Sequence, residues 1–177
     1  MNSPFSQALR RAVATLGPSL GLLSDLGDRF VEAGHELALV GGPVRDAFLG
    51  RTSADLDLTT SASPEETERI LAAWGETTWD IGRAFGTIGT VRRGTTVEVT
   101  TYRADAYDRQ SRKPIVAFGD NLEDDLRRRD FTVNAMALRL PSLEFVDPYG
   151  GLADLAAKRL RTPAPAPVSF ADDPLRM

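Results

Sequence analysis

The chain has 177 residues, of which 42% are hydrophobic, a share that supports one packed core and excludes a wholly disordered chain. It has no cysteine and one histidine, which excludes disulfide scaffolds, cysteine-ligated zinc sites, thiol nucleophiles and most histidine-based catalytic triads. The formal net charge is −4, so any contact with nucleic acid must come from a local basic cluster. No apolar stretch approaches the roughly 20 residues that cross a bilayer, so we expect no membrane partner.

Residues 1–35 are predicted to form an N-terminal helical segment, because apolar residues recur at helical spacing between Leu20 and Ala33. Two arginines precede a mild apolar run near the start of the chain, as they do in an export signal. Gly17 and Pro18 interrupt this run, and no small-residue cleavage site follows it. We therefore expect a cytoplasmic protein.

Residues 36–160 alternate short strand and helix patterns, which predicts an α/β (α+β) domain with a mixed sheet flanked by helices. Strands are predicted over 36–40, 55–60, 87–92, 95–102 and 143–146. Helices are predicted over 44–49, 63–74, 122–129 and 152–157, and an apolar run follows the third of them. Residues 103–121 are polar and lack a period, which indicates a long mobile loop. Within 161–177, a proline-rich linker leads into the first turns of another helix.

Two carboxylates share one face of the strand predicted over 55–60. Asp55 and Asp57 are two residues apart, so they point to the same side while the intervening leucines point to the core. Neighbouring acids repel each other, and a hard divalent cation such as Mg²⁺ neutralises them. If the strand over 95–102 lies alongside, Glu98 supplies a third carboxylate. The alternative is a solvated strand end that binds nothing.

A glycine turn lies between the first predicted strand and the helix that follows it. Gly41 and Gly42 let a ligand approach the backbone closely, and the free N–H groups at a helix start attract phosphate. Arg45 comes one turn later and can reach the same anion with its forked head. The alternative is an ordinary strand-to-helix turn.

Two further clusters combine arginines with carboxylates. Arg129 and Asp130 lie in a segment with apolar residues and with Asn134, where burial of such a pair is costly unless it binds a partner such as a ribose hydroxyl or a phosphate. Asp173 and Arg176 are three residues apart, so one helix face presents an acceptor and a forked donor that can read the edge of a base. The alternatives are a salt-bridged helix face for the first cluster and a helix cap for the second.

Six motifs follow one another in a fixed order: Gly-Gly-x-x-Arg-Asp, Asp-x-Asp, Glu-Val-Thr-Thr-Tyr-Arg, Arg-Arg-Asp-Phe-Thr-x-Asn-Ala, Asp-Pro-Tyr-Gly-Gly and Asp-Asp-Pro-Leu-Arg. In this order they resemble the class II tRNA nucleotidyltransferase family, which includes CCA-adding enzymes and bacterial poly(A) polymerases. The resemblance is greatest to the head domain of a bacterial CCA-adding enzyme, and it spans Leu37 to Met177.

The resemblance implies a polymerase-β-like nucleotidyltransferase fold and the addition of CMP and AMP to the 3′ end of tRNA, without a nucleic-acid template, by two-metal transfer from CTP and ATP. It implies Mg²⁺ as the cofactor, bound by Asp55 and Asp57, with Glu98 as a further catalytic carboxylate. It also implies a hinge between head and neck over 147–154. The residues that it assigns to the nucleotide are Gly41, Gly42, Arg45, Arg129, Asp130, Asp173 and Arg176.

The resemblance leaves two other functions open. Poly(A) addition uses the same chemistry, and a head that binds nucleotide without turnover fits a chain that ends at Met177, where the family continues with a helical neck, body and tail. One motif also departs from the family pattern, because Asp172 stands where the family usually has glutamate. We expect this chain to be the catalytic head, with residues 161–177 as the start of the neck.

Overall fold

A seven-stranded mixed sheet forms the centre of the computed structural model, which describes residues 3–104, 117–119 and 121–172. The strand order is β3-β4-β5-β2-β1-β8-β9, and only β2 and β5 pair in parallel among the neighbours. The strands of this sheet are β1 (Leu37–Val40), β2 (Asp55–Thr60), β3 (Thr77–Trp79), β4 (Thr87–Arg92), β5 (Thr95–Thr101), β8 (Ala137–Leu140) and β9 (Glu144–Val146). A separate two-stranded ribbon pairs β6 (Arg103–Ala104) with β7 (Ala117–Phe118).

Helices flank the sheet, which confirms the predicted fold class. They are α1 (Pro4–Thr15), α2 (Gly17–Glu32), α3 (Gly42–Phe48), α4 (Pro64–Trp74), α5 (Leu122–Arg127), α6 (Gly151–Ala156) and α7 (Ala166–Asp172). Two short 3₁₀ turns span Arg83–Phe85 and Thr132–Asn134. In the described residues, no helix is long and apolar enough to span a membrane.

The main core lies on one face of the sheet. Leu56 and Leu58 on β2 and Val97 and Val99 on β5 alternate with polar residues, so all four point to this face, where they are fully buried under helices that include α2 and α4. Burial of each such side chain contributes about 1.5–3 kcal/mol relative to exposure. The helix α4 begins where the sequence predicts it, at a capping box formed by Ser63 and Glu66.

The opposite face of the sheet is only partly covered. A smaller buried cluster packs there between Tyr102, residues of β1 and β8, and Leu122 and Leu126 of α5. Beyond this cluster the described residues leave the face uncovered, and the alternating pattern of β2 and β5 places Asp55, Asp57 and Glu98 on it. The helix-free part of the sheet therefore carries the candidate carboxylates.

Several elements differ from the sequence predictions. The strand β8 was not predicted. It lies in the apolar run that follows the helix predicted over 122–129. The ribbon of β6 and β7 lies within 103–121, where only a loop was predicted, and residues 105–116 lie outside the described part of the chain. Helix α7 begins at Ala166, inside the predicted linker, because a proline in the first helical turn sacrifices no intrahelical hydrogen bond.

Candidate active site

Three acidic side chains lie on the partly covered face of the sheet. The parallel register of β2 and β5 places Asp57 directly opposite Glu98, so the two project side by side, with Asp55 two residues away on the same face. Partial loss of solvation raises the pKa of Asp57, the guanidinium of Arg129 lowers it by less, and the charge of Asp55 raises it again. The predicted pair of neighbouring acids is therefore present, and its members interact electrostatically.

Glu98 occupies the predicted neighbouring position but does not complete a cluster. Among the residues that the structure describes, no three acidic, histidine or cysteine side chains lie close enough together to bind one metal ion by themselves. A hard cation held by Asp55 and Asp57 would therefore take its remaining oxygens from water or from a ligand. The role of Glu98 at such an ion stays a prediction.

The glycine bend lies at the same end of the sheet as the acids. Because β1 and β2 are antiparallel, with Leu39 opposite Leu58, the bend after Val40 is adjacent to the start of β2 at Asp55. Gly41 has φ 70° and ψ −135°, a conformation open to glycine and costly for other residues. A Cβ atom at this position would lie 3.1 Å from Nη1 of Arg129. The bend therefore brings backbone and arginine together beside the carboxylates.

Arg129 connects the bend with the acids. Its guanidinium reaches Gly41 on one side and acts electrostatically on Asp57, and its Nη2 lies 3.5 Å from Oδ2 of the buried Asp125. Its Nε is buried and has no hydrogen-bond partner among the residues that the structure describes. An anion bound at this point would satisfy that donor and relieve the cost of leaving it unpaired.

Arg45 and Asp130 are joined by an amide between them. Nη1 of Arg45 donates to Oδ1 of Asn134 over 2.8 Å, and Nδ2 of Asn134 donates to Oδ1 of Asp130 over 3.0 Å. Asp130 also accepts from its neighbouring backbone N–H, at Phe131, over 2.7 Å. Arg129 and Asp130, which the sequence suggests as a pair, therefore face different partners. Asn134 fixes the orientation of both Arg45 and Asp130.

A cleft of about 580 Å³ opens between α3, the 3₁₀ turn Thr132–Asn134 and α6. Arg45, Asp130 and Asn134 lie on its polar side, and its apolar side includes Phe131 and Leu155. Its size falls in the range of small-molecule sites, and its mixed lining suits a group with hydroxyls and a flat apolar ring.

A second, smaller cleft lies beside the carboxylates and was not predicted as a site. This arginine cleft, of about 230 Å³, is lined by Thr100, Arg103, Asp125, Arg128 and Arg129. Thr100 lies two residues after Glu98 on the same face of β5. This spacing is the sequence feature that could have placed Thr100 near the carboxylates. The approach of Arg103 to Asp125 depends on packing of distant segments and has no local signature.

Two acids, Asp147 and Asp154, hold the predicted hinge region over 147–154 in place. Asp147 accepts from the first N–H groups of α6, at Gly151 over 2.6 Å and Leu152 over 3.0 Å. The carboxylate of Asp154 is fully buried and accepts from Thr132 Oγ1 over 2.6 Å. Its other partners are Arg159 and Arg161. These bonds, that of Thr132 first, lower the pKa of Asp154.

The predicted base-reading residues, Asp173 and Arg176, lie outside the described residues. The last residue that the structure describes is Asp172, at the end of α7. Gly42 opens α3, and a Cβ atom there would lie 3.6 Å from Nη2 of Arg45, an ordinary contact.

The mixed sheet places neighbouring carboxylates beside a glycine bend, with arginines lining the adjacent clefts, an arrangement suited to binding a hard cation and phosphate groups. Residues 37–161 match the family model described as the poly A polymerase head domain, and the chain belongs to this family. The match covers every site residue discussed above except the two at the undescribed end.

Curated relatives and solved structures agree with this family. The chain is 39% identical over 178 residues to the CCA-adding enzyme of Geobacillus thermodenitrificans, covering 100% of this chain and 39% of that protein. It is 44% identical over 147 residues to that of Streptococcus pyogenes, covering 82% and 35%. The crystal structure of the Bacillus stearothermophilus CCA-adding enzyme in complex with CTP superimposes with a TM-score of 0.76 at 36% identity, over 92% of this chain and 37% of that one.

A structure of the Thermotoga maritima CCA-adding enzyme complexed with tRNA also matches, with a TM-score of 0.68 at 29% identity over 88% of this chain and 35% of that one. The chain thus spans little more than a third of the length of these relatives.

Proposed function

We propose that this chain is the catalytic head of a CCA-adding enzyme, which adds CMP and AMP to the 3′ end of tRNA from CTP and ATP and releases pyrophosphate. One observation carries the proposal: Arg129 contacts the glycine bend and acts on Asp57, so an anion-binding turn and a pair of acids share one side of the sheet. The similarity to CCA-adding enzymes supports the choice of substrates. We place this activity in the cytoplasm, with tRNA as the partner.

The donor set at the acids fits Mg²⁺. Asp55 and Asp57 offer hard oxygen ligands, and their mutual repulsion gives them a reason to bind a cation. When bound, Mg²⁺ lowers the pKa of the attacking 3′-hydroxyl and neutralises charge on the triphosphate and the leaving pyrophosphate. Glu98, directly opposite Asp57, adds a negative charge that strengthens cation binding at this point.

The remaining residues of the site position the nucleotide. Arg45 and Arg129 flank the glycine bend and can hold the triphosphate from two sides with forked donors. Asp130, oriented by Asn134, is the acceptor for a ribose hydroxyl in the larger cleft. The pair Asp173 and Arg176 would then recognise the base. Because Arg45, Arg129 and Asp130 are held before the substrate arrives, they contribute chiefly by positioning and electrostatic stabilisation.

Isosteric removal of the two acids tests the proposal. The double variant Asp55→Asn, Asp57→Asn keeps the shape of both side chains and loses both charges. We expect it to remove Mg²⁺-dependent incorporation of labelled CMP and AMP into a tRNA that lacks its 3′ CCA. Asp28→Asn, at an exposed position on α2, is the matched control. Undiminished transfer by the double variant would refute the assignment.

Poly(A) addition is the second candidate, because the matching family model is described by that activity. Incubation with CTP alone, ATP alone and both nucleotides separates the two functions. CCA addition predicts growth limited to three nucleotides and dependent on both substrates, whereas long tails from ATP alone would favour poly(A) addition.

A head without turnover is the third candidate, since the relatives are much longer than this chain. Thermal stabilisation by nucleotide and Mg²⁺ without any extension of the RNA would support it.

A further inference from the structure

We propose that the arginine cleft binds the sugar–phosphate backbone at the 3′ end of the acceptor RNA. This inference rests on the proposed function, since it assigns the second substrate of the same site. The cleft meets the glycine bend at Arg129, shares no lining residue with the larger cleft of α3 and α6, and lies on the same face of the sheet as the acids.

The strand order places the cleft and the glycine bend on opposite sides of the strand that carries the acids. Starting from β2, which carries the acids, the glycine bend follows the neighbour on one side, β1, and Thr100 lies on the neighbour on the other side, β5. Across the sheet the two positions are about two strand spacings apart, and along it they are about three residues apart, because the bend lies level with Leu56 and Thr100 with Thr59. Their separation is therefore roughly 14 Å. In phosphoryl transfer the attacking and leaving oxygens lie roughly in line across the phosphorus. A triphosphate held at the bend therefore leaves the β5 side for the attacking hydroxyl.

The charge of the cleft fits a polyanion. Of the five described residues that line it, three are arginines and one is a carboxylate, in a chain whose net charge is −4. Burial lowers the pKa of Arg103, Asp125 opposes this, and the charges of Arg128 and Arg129 lower it further. Such crowding of like charges is relieved when an anion binds between them.

The cleft is also held in shape without a ligand. Arg103 donates from Nε and Nη2 to the carbonyl oxygen of Phe85, over 3.1 and 2.7 Å. The buried Asp125 accepts from the backbone N–H of Arg103 over 3.2 Å and from Thr59 Oγ1 over 3.2 Å. A guanidinium carries five N–H donors, and within the described residues no hydrogen bond engages the remaining nitrogen of Arg103, Nη1, which can donate to a phosphate.

An exposed aromatic ring beside the cleft favours RNA over a free triphosphate. Phe118 is directly opposite Arg103 in the β6–β7 ribbon, and 48% of it is exposed. Its ring covers Gly86, where a Cβ atom would lie 2.7 Å from the ring. Proteins that bind single-stranded nucleic acid combine a basic groove with such rings, on which bases stack.

The test measures RNA binding apart from catalysis. A short single-stranded RNA with a 5′ fluorophore and a free 3′-hydroxyl is titrated with the full chain and with Arg103→Ala and Arg128→Ala, in EDTA and without nucleotide, over a range of salt concentrations. Arg69→Ala, at an exposed position on α4 over the opposite face, is the matched control. Thermal melts confirm that each variant is folded.

We expect each cleft variant to bind RNA about tenfold more weakly at low salt, with a slope of log K against log salt that is shallower by roughly 0.7 for each lost phosphate contact. Arg69→Ala should bind as the parent chain does. Calorimetric titration with CTP and Mg²⁺ should give the same affinity for Arg103→Ala as for the parent chain, because the triphosphate is placed at the bend.

A modified RNA locates the contact. A neutral methylphosphonate at the last linkage should weaken binding to the parent chain and have little further effect on Arg103→Ala, as expected when the two changes remove one interaction. The proposal is overturned if the parent chain shows no salt-dependent RNA binding, or if the cleft variants bind RNA as it does. A matching fall in CTP affinity would assign the cleft to the triphosphate instead. RNA binding is measured without nucleotide transfer, so a chain that fails to transfer nucleotides would still support or refute this proposal by its binding results.

Discussion

Gly41→Ala probes the bend where backbone, arginine and acid meet. The native φ of 70° and ψ of −135° place an alanine in a sparsely populated region, at a cost of about 1–3 kcal/mol. The new Cβ also lies 3.1 Å from Nη1 of Arg129, so the guanidinium must move by a few tenths of an ångström. Displacement of Arg129 weakens its effect on Asp57, so the pKa of Asp57 rises further.

Two measurements separate these effects. Urea unfolding gives the loss of stability, and Mg²⁺-dependent CTP binding as a function of pH gives the effect on the site. Because a higher pKa keeps Asp57 protonated to higher pH, the acid limb of the binding profile should shift upward in Gly41→Ala. Binding at neutral pH should weaken about tenfold, the equivalent of one displaced charge-assisted hydrogen bond.

Gly34→Ala is the matched control, because Gly34 also has a positive φ, of 83°, but a Cβ there meets no atom within 4 Å. It should lose about 1–2 kcal/mol of stability with no change in nucleotide binding. If Gly41→Ala binds CTP with the affinity and pH profile of Gly34→Ala, the bend does not form part of the nucleotide site and the reasoning fails.

Two further predictions concern groups that orient the site. Asp154→Asn should lose about 2–3 kcal/mol of stability, because a buried charged acceptor is removed from its hydrogen bonds. The folded-state pKa of Asp154 is lowered, so its contribution to the stability of the fold is present above about pH 4 and is lost as the pH falls through that lowered pKa. The acid unfolding curves of the variant and the parent should converge in this pH range. Asn134→Ala should raise the KM for CTP about tenfold with a smaller change in kcat, because Arg45 and Asp130 lose their shared partner; steady-state incorporation measures the split, and a fall in kcat alone would contradict this role.

Local patterns were sufficient to predict the carboxylate face. The alternation of Asp55 to Leu58 places the acids opposite the leucines, and the register of β2 with β5 confirms that Glu98 projects beside Asp57. The strand β8 was missed because the apolar run around it does not alternate. Such continuous apolar runs are typical of strands buried on both faces and are ambiguous in sequence.

Long-range partners could not be predicted from the sequence. Asp125 binds Thr59 from a strand 66 positions away in the chain, and Asn134 binds Arg45 from 89 positions away. The tie between Arg129 and the bend likewise exists only once the sheet has formed. The adjacent positions of Arg129 and Asp130 suggested a pair, but in the bend after α5 the two side chains contact different partners.

The strands that carry the acids are backed by leucines and valines that are almost fully buried. The spacing between Asp57 and Glu98 therefore depends on how tightly these apolar side chains pack on the opposite face of the sheet. A misplacement of reacting groups by about 1 Å can reduce a rate a hundredfold, so a methyl group removed at Leu58 or Val99 would slow the reaction well before it unfolds the chain.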